Sequence, residues 1–203
     1  MALRSSSFTA KPTVLRCSRC GRFVNWEDAR LQNVCECRAH VPLPPVFVRD
    51  ATPDDREVAM ELFKRDFGHK QIVAFGDVIQ LDQVPAIVAE MKGELAGALA
   101  YRDAPGALHI VALATDPMWQ RSGVGGHLVA EIELAARRKK LSSIVVATTN
   151  DNLPAMYFYQ RRGYIISEVV PGGVLAHLSG GSVAGFAGIP IRDEVRMKKT
   201  LDR

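Results

Sequence analysis

The chain has 203 residues and a formal net charge of +4, with 47% hydrophobic and 24% charged residues, which is the composition of a globular protein. No apolar run approaches the roughly 18 residues that a membrane-spanning helix needs, and the start MALRSSSFTA lacks the apolar core of a secretory signal. We therefore expect a cytoplasmic protein without a membrane span, although the acid-free start with its arginine and serines leaves a transit peptide as an alternative.

All four cysteines lie in the first fifth of the chain, as a C-x-x-C knuckle at 17–20 and a C-x-C pair at 35–37. Four thiolates are a complete tetrahedral ligand set for Zn²⁺. We predict a structural zinc site with the ligands Cys17, Cys20, Cys35 and Cys37, in a zinc-ribbon-like module over residues 1–40. Two disulfides are the alternative, which fits poorly in a chain without a secretion signal. Redox catalysis is disfavoured because no thioredoxin-like strand precedes the C-x-x-C.

The same segment carries the charge of the chain. Residues 1–40 hold seven Lys/Arg against three Asp/Glu, so the whole formal surplus of +4 lies there. Zn²⁺ bound by four thiolates would reduce this surplus by about 2. A protein or nucleic-acid partner of this basic module is one hypothesis. The proline-rich segment 41–45 (VPLPP) is predicted to be a linker to a second domain, 46–203.

Residues 46–203 show the alternation of a mixed α/β domain. Apolar patterns predict strands at 46–52, 83–91, 94–102, 107–115, 142–150, 163–170 and 189–201, and helices at 52–67, 124–140 and 154–162. Short turns join the strands between residues 83 and 115, which predicts three consecutive antiparallel strands. The later alternation of strands and helices predicts that the sheet continues in a partly parallel way.

The stretch QRSGVGGHLVAEI, at 120–132, places three glycines at the start of the predicted helix 124–140. Glycines allow a phosphate to approach the unpaired N–H groups of a helix start. No Lys-Ser/Thr pair follows, which excludes a P-loop, and the third glycine is misplaced for the dinucleotide fingerprint. The loop therefore predicts a phosphate ligand of another kind.

Two motifs resemble those of the GNAT superfamily of acyl-CoA-dependent N-acetyltransferases. The first motif, Q/R-x-x-G-x-G/A, is matched by Gln120, Gly123 and Gly125. The second is an Asn followed seven residues later by Tyr and then a Gly-aromatic pair, and it is matched by Asn152, Tyr159, Gly163 and Tyr164. The resemblance covers roughly residues 46–203. It implies an α/β (α+β) fold with a mixed, mostly antiparallel central sheet flanked by helices, and acetyl-CoA as cosubstrate.

The resemblance also implies which residues bind acetyl-CoA. They are Leu113, Ala114, Thr115, Gln120, Arg121, Ser122, Gly123, Val124, Gly125, Gly126, Asn152 and Tyr159. Asn152 either caps the helix that follows it or binds the pantetheine arm. Tyr159 lies two helical turns further along and is implied to protonate the departing CoA thiolate; packing of its ring in the core is the alternative.

Direct attack of an amine on the thioester in a ternary complex is the expected mechanism, because no cysteine lies beyond residue 37 to form an acyl-enzyme. Many relatives carry a glutamate as general base two residues before the position of Leu113, where this chain has Val111. The remaining candidates are Asp193, for which Arg102 is a candidate partner, and His109. Strand alternation predicts that His109, Val111 and Leu113 share one face.

The acceptor is predicted from the two segments that line its site in the family, 66–77 and 171–190. The second segment holds six glycines and no Lys, Arg, Asp or Glu, which favours a small or amphiphilic amine over a polybasic peptide. Two other functions stay open. One is a catalytically silent acyl-CoA sensor, which the lack of a glutamate at Val111 would permit. The other is a zinc-ribbon adaptor that binds nucleic acid or protein through residues 1–45.

Overall fold

The computed structural model describes residues 14–16, 23–25, 45–177 and 183–201. The chain divides into two units, Met1–Pro45 and Val46–Arg203. In the first unit, β1 (Val14–Arg16) pairs in antiparallel fashion with β2 (Phe23–Asn25). The four cysteines of the predicted zinc site lie outside the described residues, so that site stays a prediction.

The second unit alternates strands and helices much as the sequence patterns predict. Its elements are β3 (Phe47–Asp50), α1 (Asp55–Phe67), β4 (Gln71–Ala74), β5 (Asp77–Gln80), β6 (Ala86–Met91), β7 (Glu94–Ala104), β8 (Ala107–Thr115), α2 (Val124–Arg138), β9 (Ser143–Thr149), α3 (Leu153–Gln160), β10 (Ile165–Val170), β11 (Val183–Ala184), β12 (Pro190–Ile191) and β13 (Glu194–Thr200). The β4–β5 hairpin was not predicted from the sequence. No helix within the described ranges is long and apolar enough to cross a membrane.

Seven of these strands form one sheet in the order β10-β13-β9-β8-β7-β6-β3. Strands β6, β7 and β8 are the three consecutive antiparallel strands that the short turns predict. The β8–β9 pair is parallel, and the other neighbouring pairs in this sheet are antiparallel. The expected fold class, a mixed and mostly antiparallel central sheet flanked by helices, is confirmed.

Helices cover both faces of the sheet. Helix α1 packs on one face against small side chains of the central strands, such as Ala98 and Ala112. Helices α2 and α3 pack on the other face. Gly97 on β7 allows the close approach of α2, because a Cβ there would lie 2.7 Å from Val124 Cγ1 and 3.0 Å from the Ala114 carbonyl oxygen. The start of α2 is thereby held beside the end of β8.

A β-bulge in β8 interrupts the alternation of side chains between the two faces of the sheet that the sequence predicts. Ala112 pairs with Ala100 and Ile110 pairs with Tyr101, so Val111 is one extra residue on β8. His109 and Val111 lie on the face of the sheet that α1 covers. The extra residue turns Leu113 to the opposite face, where it packs with α2 and α3. The prediction that Leu113 shares the face of His109 was therefore wrong.

Candidate active site

A wedge between β8 and β9 is the central feature of the candidate site. The two parallel strands pair only from Ala107↔Ser143 to Ile110↔Val146. Each strand then continues on its outer side, since β8 stays paired with β7 as far as Thr115 and β9 stays paired with β13 as far as Thr149. The strands therefore separate beyond the bulge and leave backbone groups of residues 111–115 without a partner on β9.

Hydrogen bonds within the loop between β8 and α2 shape its path. The Asp116 carboxylate accepts a hydrogen bond from Met118 N at 2.8 Å and so begins the 3₁₀ turn Pro117–Trp119. The Ser122 hydroxyl is buried and donates to the Trp119 carbonyl oxygen, which makes it a support of the loop. Arg121 and Gly123 have positive φ values of 65° and 95°, which bend the chain into the helix. Gln120 and Arg121 have exposed side chains.

The first turn of α2 offers free hydrogen-bond donors next to the wedge. The first helical bond runs from His127 N to the Gly123 carbonyl oxygen, so the N–H groups of Val124, Gly125 and Gly126 precede the helical ladder. A Cβ on Gly125 would lie 3.3 Å from Phe158 Cζ and 3.5 Å from Leu113 Cδ2. The loop, the wedge and α3 therefore meet at Gly125, which brings residues of the two motifs together.

Arg162 is a cation at this helix start that the sequence analysis missed. Its guanidinium stacks on the Phe158 ring at 3.7 Å, and its Nη1 donates to the Phe158 carbonyl oxygen at 3.0 Å. Nη2 lies 2.7 Å from where a Cβ of Gly126 would stand, so the guanidinium fills the space that a side chain would take. Burial lowers the pKa of Arg162. A positive charge beside the positive end of a helix favours an anion there.

The second motif lies at the start and in the middle of α3. Asn152 is the N-cap, and its Oδ1 accepts a hydrogen bond from Ala155 N at 3.1 Å. Asn152 therefore caps α3 through its side-chain oxygen, and its side-chain nitrogen stays available to a ligand. Tyr159 is buried, and its ring makes edge contacts with Phe158 and Tyr164 at centroid distances of 5.0 and 5.3 Å. Burial raises the pKa of Tyr159, so the phenol stays protonated at neutral pH.

His109 lies on the α1 side of the sheet, immediately before the bulge. Its ring stacks on Phe75, with the centroids 4.0 Å apart. Nδ1 is buried and has no hydrogen-bond partner among the described residues. Burial, followed by the charges of Arg102 and Arg196, lowers the pKa of His109. The imidazole is therefore neutral at pH 7 and has a nitrogen free to accept a proton.

Asp193 has a different environment from the one that its sequence position suggests. Its carboxylate accepts hydrogen bonds from Gly172 N at 2.8 Å and from two nitrogens of Arg192. The suggested partner, Arg102, pairs instead with Asp77 at 2.9 Å. The Arg192 guanidinium, together with the Gly172 N–H, lowers the pKa of Asp193. That carboxylate therefore holds together the two ends of the segment 172–193.

The β4–β5 hairpin reaches into the neighbourhood of His109. Phe75, at its turn, has a φ of 59° and donates its N–H to Glu194 Oε2 at 2.8 Å. Glu194 is buried on β13 and also accepts a hydrogen bond from Arg196. Sequence reasoning missed this contact because it joins residues 119 positions apart.

Comparisons with known proteins point to one family. The sequence profile described as the acetyltransferase (GNAT) family matches residues 50–164. The uncharacterized protein YdhI of Bacillus subtilis (strain 168) is 28% identical over 151 residues, which is 72% of this chain and 93% of that protein.

Solved structures share the fold. A GNAT family acetyltransferase from Elizabethkingia anophelis with acetyl-CoA bound matches at a TM-score of 0.59 and 18% identity, over 77% of this chain and 98% of that one. A Bacillus subtilis acetyltransferase in complex with CoA matches at a TM-score of 0.59 and 21% identity, over 79% and 99%. Since the family profile spans more than half of the sequence and the fold agrees, this chain belongs to the acetyltransferase (GNAT) family.

Proposed function

We propose that this chain transfers an acetyl group from acetyl-CoA to an amine, by direct attack within a ternary complex. The observation that carries the proposal is the convergence at Gly125. There the unpaired N–H groups of the α2 start, the open end of β8 and the ring of Phe158 on α3 come together. Family membership and relatives solved with acetyl-CoA or CoA support the choice of cosubstrate.

The pyrophosphate of CoA binds in this proposal to the N–H groups of Val124, Gly125 and Gly126. These groups lie at the positive end of α2, and the Arg162 guanidinium adds a full charge nearby. Gln120 to Gly123 shape the loop. The pantetheine arm follows the wedge between Leu113–Thr115 and Asn152, where an extended amide chain can bond to strand backbone that lacks a β9 partner.

The transfer needs one proton acceptor and one proton donor. The amine nitrogen forms a bond to the thioester carbon while its proton passes to the base, and the C–S bond then breaks. A backbone N–H near Leu113 stabilises the oxyanion. The CoA sulfur takes a proton from the Tyr159 hydroxyl. Solvent then protonates the Tyr159 oxygen again. The high pKa of Tyr159 suits a donor that must be protonated before each turnover.

We favour His109 over Asp193 as the base. His109 has an unpartnered buried nitrogen and is neutral at pH 7 because its pKa is lowered. The Asp193 carboxylate is already bonded to Arg192 and Gly172, whereas no described residue bonds to His109 Nδ1. Asp193 stays the second candidate, since opening of the 172–193 segment would free it.

The N-terminal module and the acceptor complete the proposal. Cys17, Cys20, Cys35 and Cys37 would hold one structural Zn²⁺, whose four thiolate ligands leave no open position for catalysis. The basic charge of residues 1–40 suits an acidic protein or nucleic-acid partner. The acceptor is a small or amphiphilic amine, because the segment 171–190 contains no Asp or Glu that would bind a polybasic chain.

An acceptor screen tests the proposal. Purified full-length protein is mixed with acetyl-CoA or longer acyl-CoAs and a panel of primary amines, and the release of free CoA thiol is followed. We expect amine-dependent thiol release with at least one amine. A chain that binds acetyl-CoA in calorimetry but releases no thiol with any amine would instead be the acyl-CoA sensor, which the lack of a glutamate at position 111 permits.

A further inference from the structure

Asp151 is a buried carboxylate to which the reaction above assigns no role. It follows β9 by two residues and is 6% exposed. Its Oδ2 accepts a hydrogen bond from Phe186 N at 2.9 Å. Its Oδ1 is buried and has no hydrogen-bond partner among the residues that the structure describes. Burying an acceptor without a donor is costly, so such a group calls for a ligand or a specific function.

The segment 183–191 covers this carboxylate closely. A Cβ on Gly185 would overlap Asp151 Oδ2, so only glycine allows the backbone to pass there. The preceding residue, Asn150, donates its side-chain N–H to the Pro190 carbonyl oxygen at 2.9 Å. The side chains of Asn150 and Asp151, just after β9, therefore both bond to the segment 183–191. Asp151 Oδ1 takes no part in these bonds.

The position of Asp151 links the segment 183–191 to the proposed acetyl site. Residues 147–149 form one border of the wedge, and Asn152, the proposed pantetheine contact, is the next residue along the chain. In the proposed reaction the thioester lies in this wedge, whose β9 border ends at Thr149, two residues before Asp151. Among the described residues, no Lys or Arg forms an ion pair with Asp151, so its charge is available to a ligand.

We propose that Asp151 Oδ1 binds the protonated amine of the acceptor, so that the acceptor enters the site as a primary ammonium cation. This inference rests on the proposed acetyl transfer. Amines with a pKa near 10 carry a proton at neutral pH, and an ammonium supplies the hydrogen-bond donor that Oδ1 lacks. A single carboxylate oxygen is too poor a ligand set for Ca²⁺ or Mg²⁺. Asp151 forms no covalent bond. The ammonium gives one proton to the general base before the neutral amine attacks the thioester carbon, and the second nitrogen-bound proton passes to solvent from the tetrahedral intermediate.

Because Oδ1 is closed off from solvent, the amine has to enter before the segment 183–191 closes over it. The Phe186 N–H to Asp151 bond then closes the segment above the bound cation. Specificity follows from the same geometry, since an uncharged isostere such as an alcohol would leave the buried carboxylate without a counter-charge.

The test uses the Asp151→Asn variant of the full chain and the panel amine that gives the highest turnover. Asparagine keeps an oxygen for the Phe186 N–H and removes the charge. We expect the KM for the amine to rise by about 30-fold or more, as for loss of one partner of a buried charged hydrogen bond. The Kd of acetyl-CoA and the Tm should not fall. The Asp103→Asn variant is the control, because that carboxylate is exposed and its ion pair among the described residues is with Lys139.

Other results would contradict the inference. An unchanged amine KM in Asp151→Asn, with turnover intact, would overturn it and leave the proposed function standing. A lower Tm with a parallel loss of acetyl-CoA affinity would make Asp151 a support of the segment 183–191 only. No turnover with any amine would remove the proposed function and this inference together. Gly185→Ala should also raise the amine KM while leaving the charge in place, since its Cβ displaces the covering segment.

Discussion

At the scale of single residues, Tyr159 and Tyr157 form a natural comparison on α3. Tyr159 is buried against Phe158 and Tyr164, whereas Tyr157 is 68% exposed. The two lie on different sides of the helix because they are two residues apart. A role in the proton transfer and a role in packing can therefore be separated by removing one hydroxyl group at a time.

We predict that Tyr159→Phe lowers turnover by about 10²- to 10⁴-fold, the usual effect of losing one general acid. The ring contacts survive, so acetyl-CoA affinity and Tm should stay close to wild type. A donor with a less basic thiol leaving group should show a smaller loss, because it needs its proton less. Steady-state kinetics with Tyr157→Phe as control provide the measurement. Equal losses in both variants would point to packing.

His109 gives a pH prediction. A histidine acts as a base only in its neutral form. Burial is the main cause that lowers the pKa of His109, so it stays active at pH values where an ordinary histidine of pKa about 6.5 is half protonated. We expect kcat at saturating substrates to be flat near neutral pH and to fall only below about pH 6.5. His109→Gln should remove this acidic limb and lower kcat by about 10²-fold or more.

His69, an exposed histidine of the segment 66–77, supplies the comparison for this pH profile, since His69→Gln should leave the acidic limb of kcat in place. An unaltered acidic limb in His109→Gln would transfer the role of base to Asp193 or another group.

At the scale of elements, the α2 start depends on the absence of a side chain at Gly125. The φ of this glycine is not positive, so alanine is allowed there, but its Cβ would press on Phe158 at 3.3 Å. A charged side chain would additionally place a carboxylate against the N–H groups proposed to bind the pyrophosphate. Alanine at position 125 therefore tests the steric effect of a side chain, and aspartate adds the effect of a negative charge.

We predict that Gly125→Asp weakens acetyl-CoA binding by about 100-fold or more, because like charges brought together in a binding site cost several kcal/mol. Gly125→Ala, the matched control, should stay within about tenfold of wild type, since Phe158 has to move only by tenths of an ångström. Calorimetric titration with acetyl-CoA measures both. Wild-type affinity in Gly125→Asp would remove the CoA assignment of this loop.

At the scale of the whole molecule, the CoA motifs and the cysteines belong to different units, Val46–Arg203 and Met1–Pro45. We predict about one equivalent of zinc in the purified chain, measured by elemental analysis. Chelation should unfold the cysteine module and leave the acetyl-CoA Kd within a few-fold, because structural zinc contributes to the stability of its own module. Loss of CoA binding on chelation would place the module in the active site.

The sequence by itself determined the elements whose signals are local. The glycines at 120–126 and the apolar period of α2 lie within a few turns of each other, and the Asn152 cap and Tyr159 belong to one short helix. Helix periodicity and capping depend on neighbours three or four residues away. For this reason both motifs, the three helices and the β6–β8 meander could be predicted without knowledge of the fold.

Only the tertiary structure decided the features that depend on distant partners. The bulge at Val111 is a register shift in the pairing of β8 with β7. It places the Leu113 side chain on the face of the sheet opposite to the predicted one. The β4–β5 hairpin was hidden because its turn places a phenylalanine, Phe75, at positive φ, where Asn or Asp would be the usual signal. The Asp193 carboxylate forms hydrogen bonds with Arg192 and Gly172 and not with Arg102. The backbone at Gly185 passes directly against the Asp151 carboxylate. Such contacts follow from the register of strands and the path of loops, which no local pattern specifies.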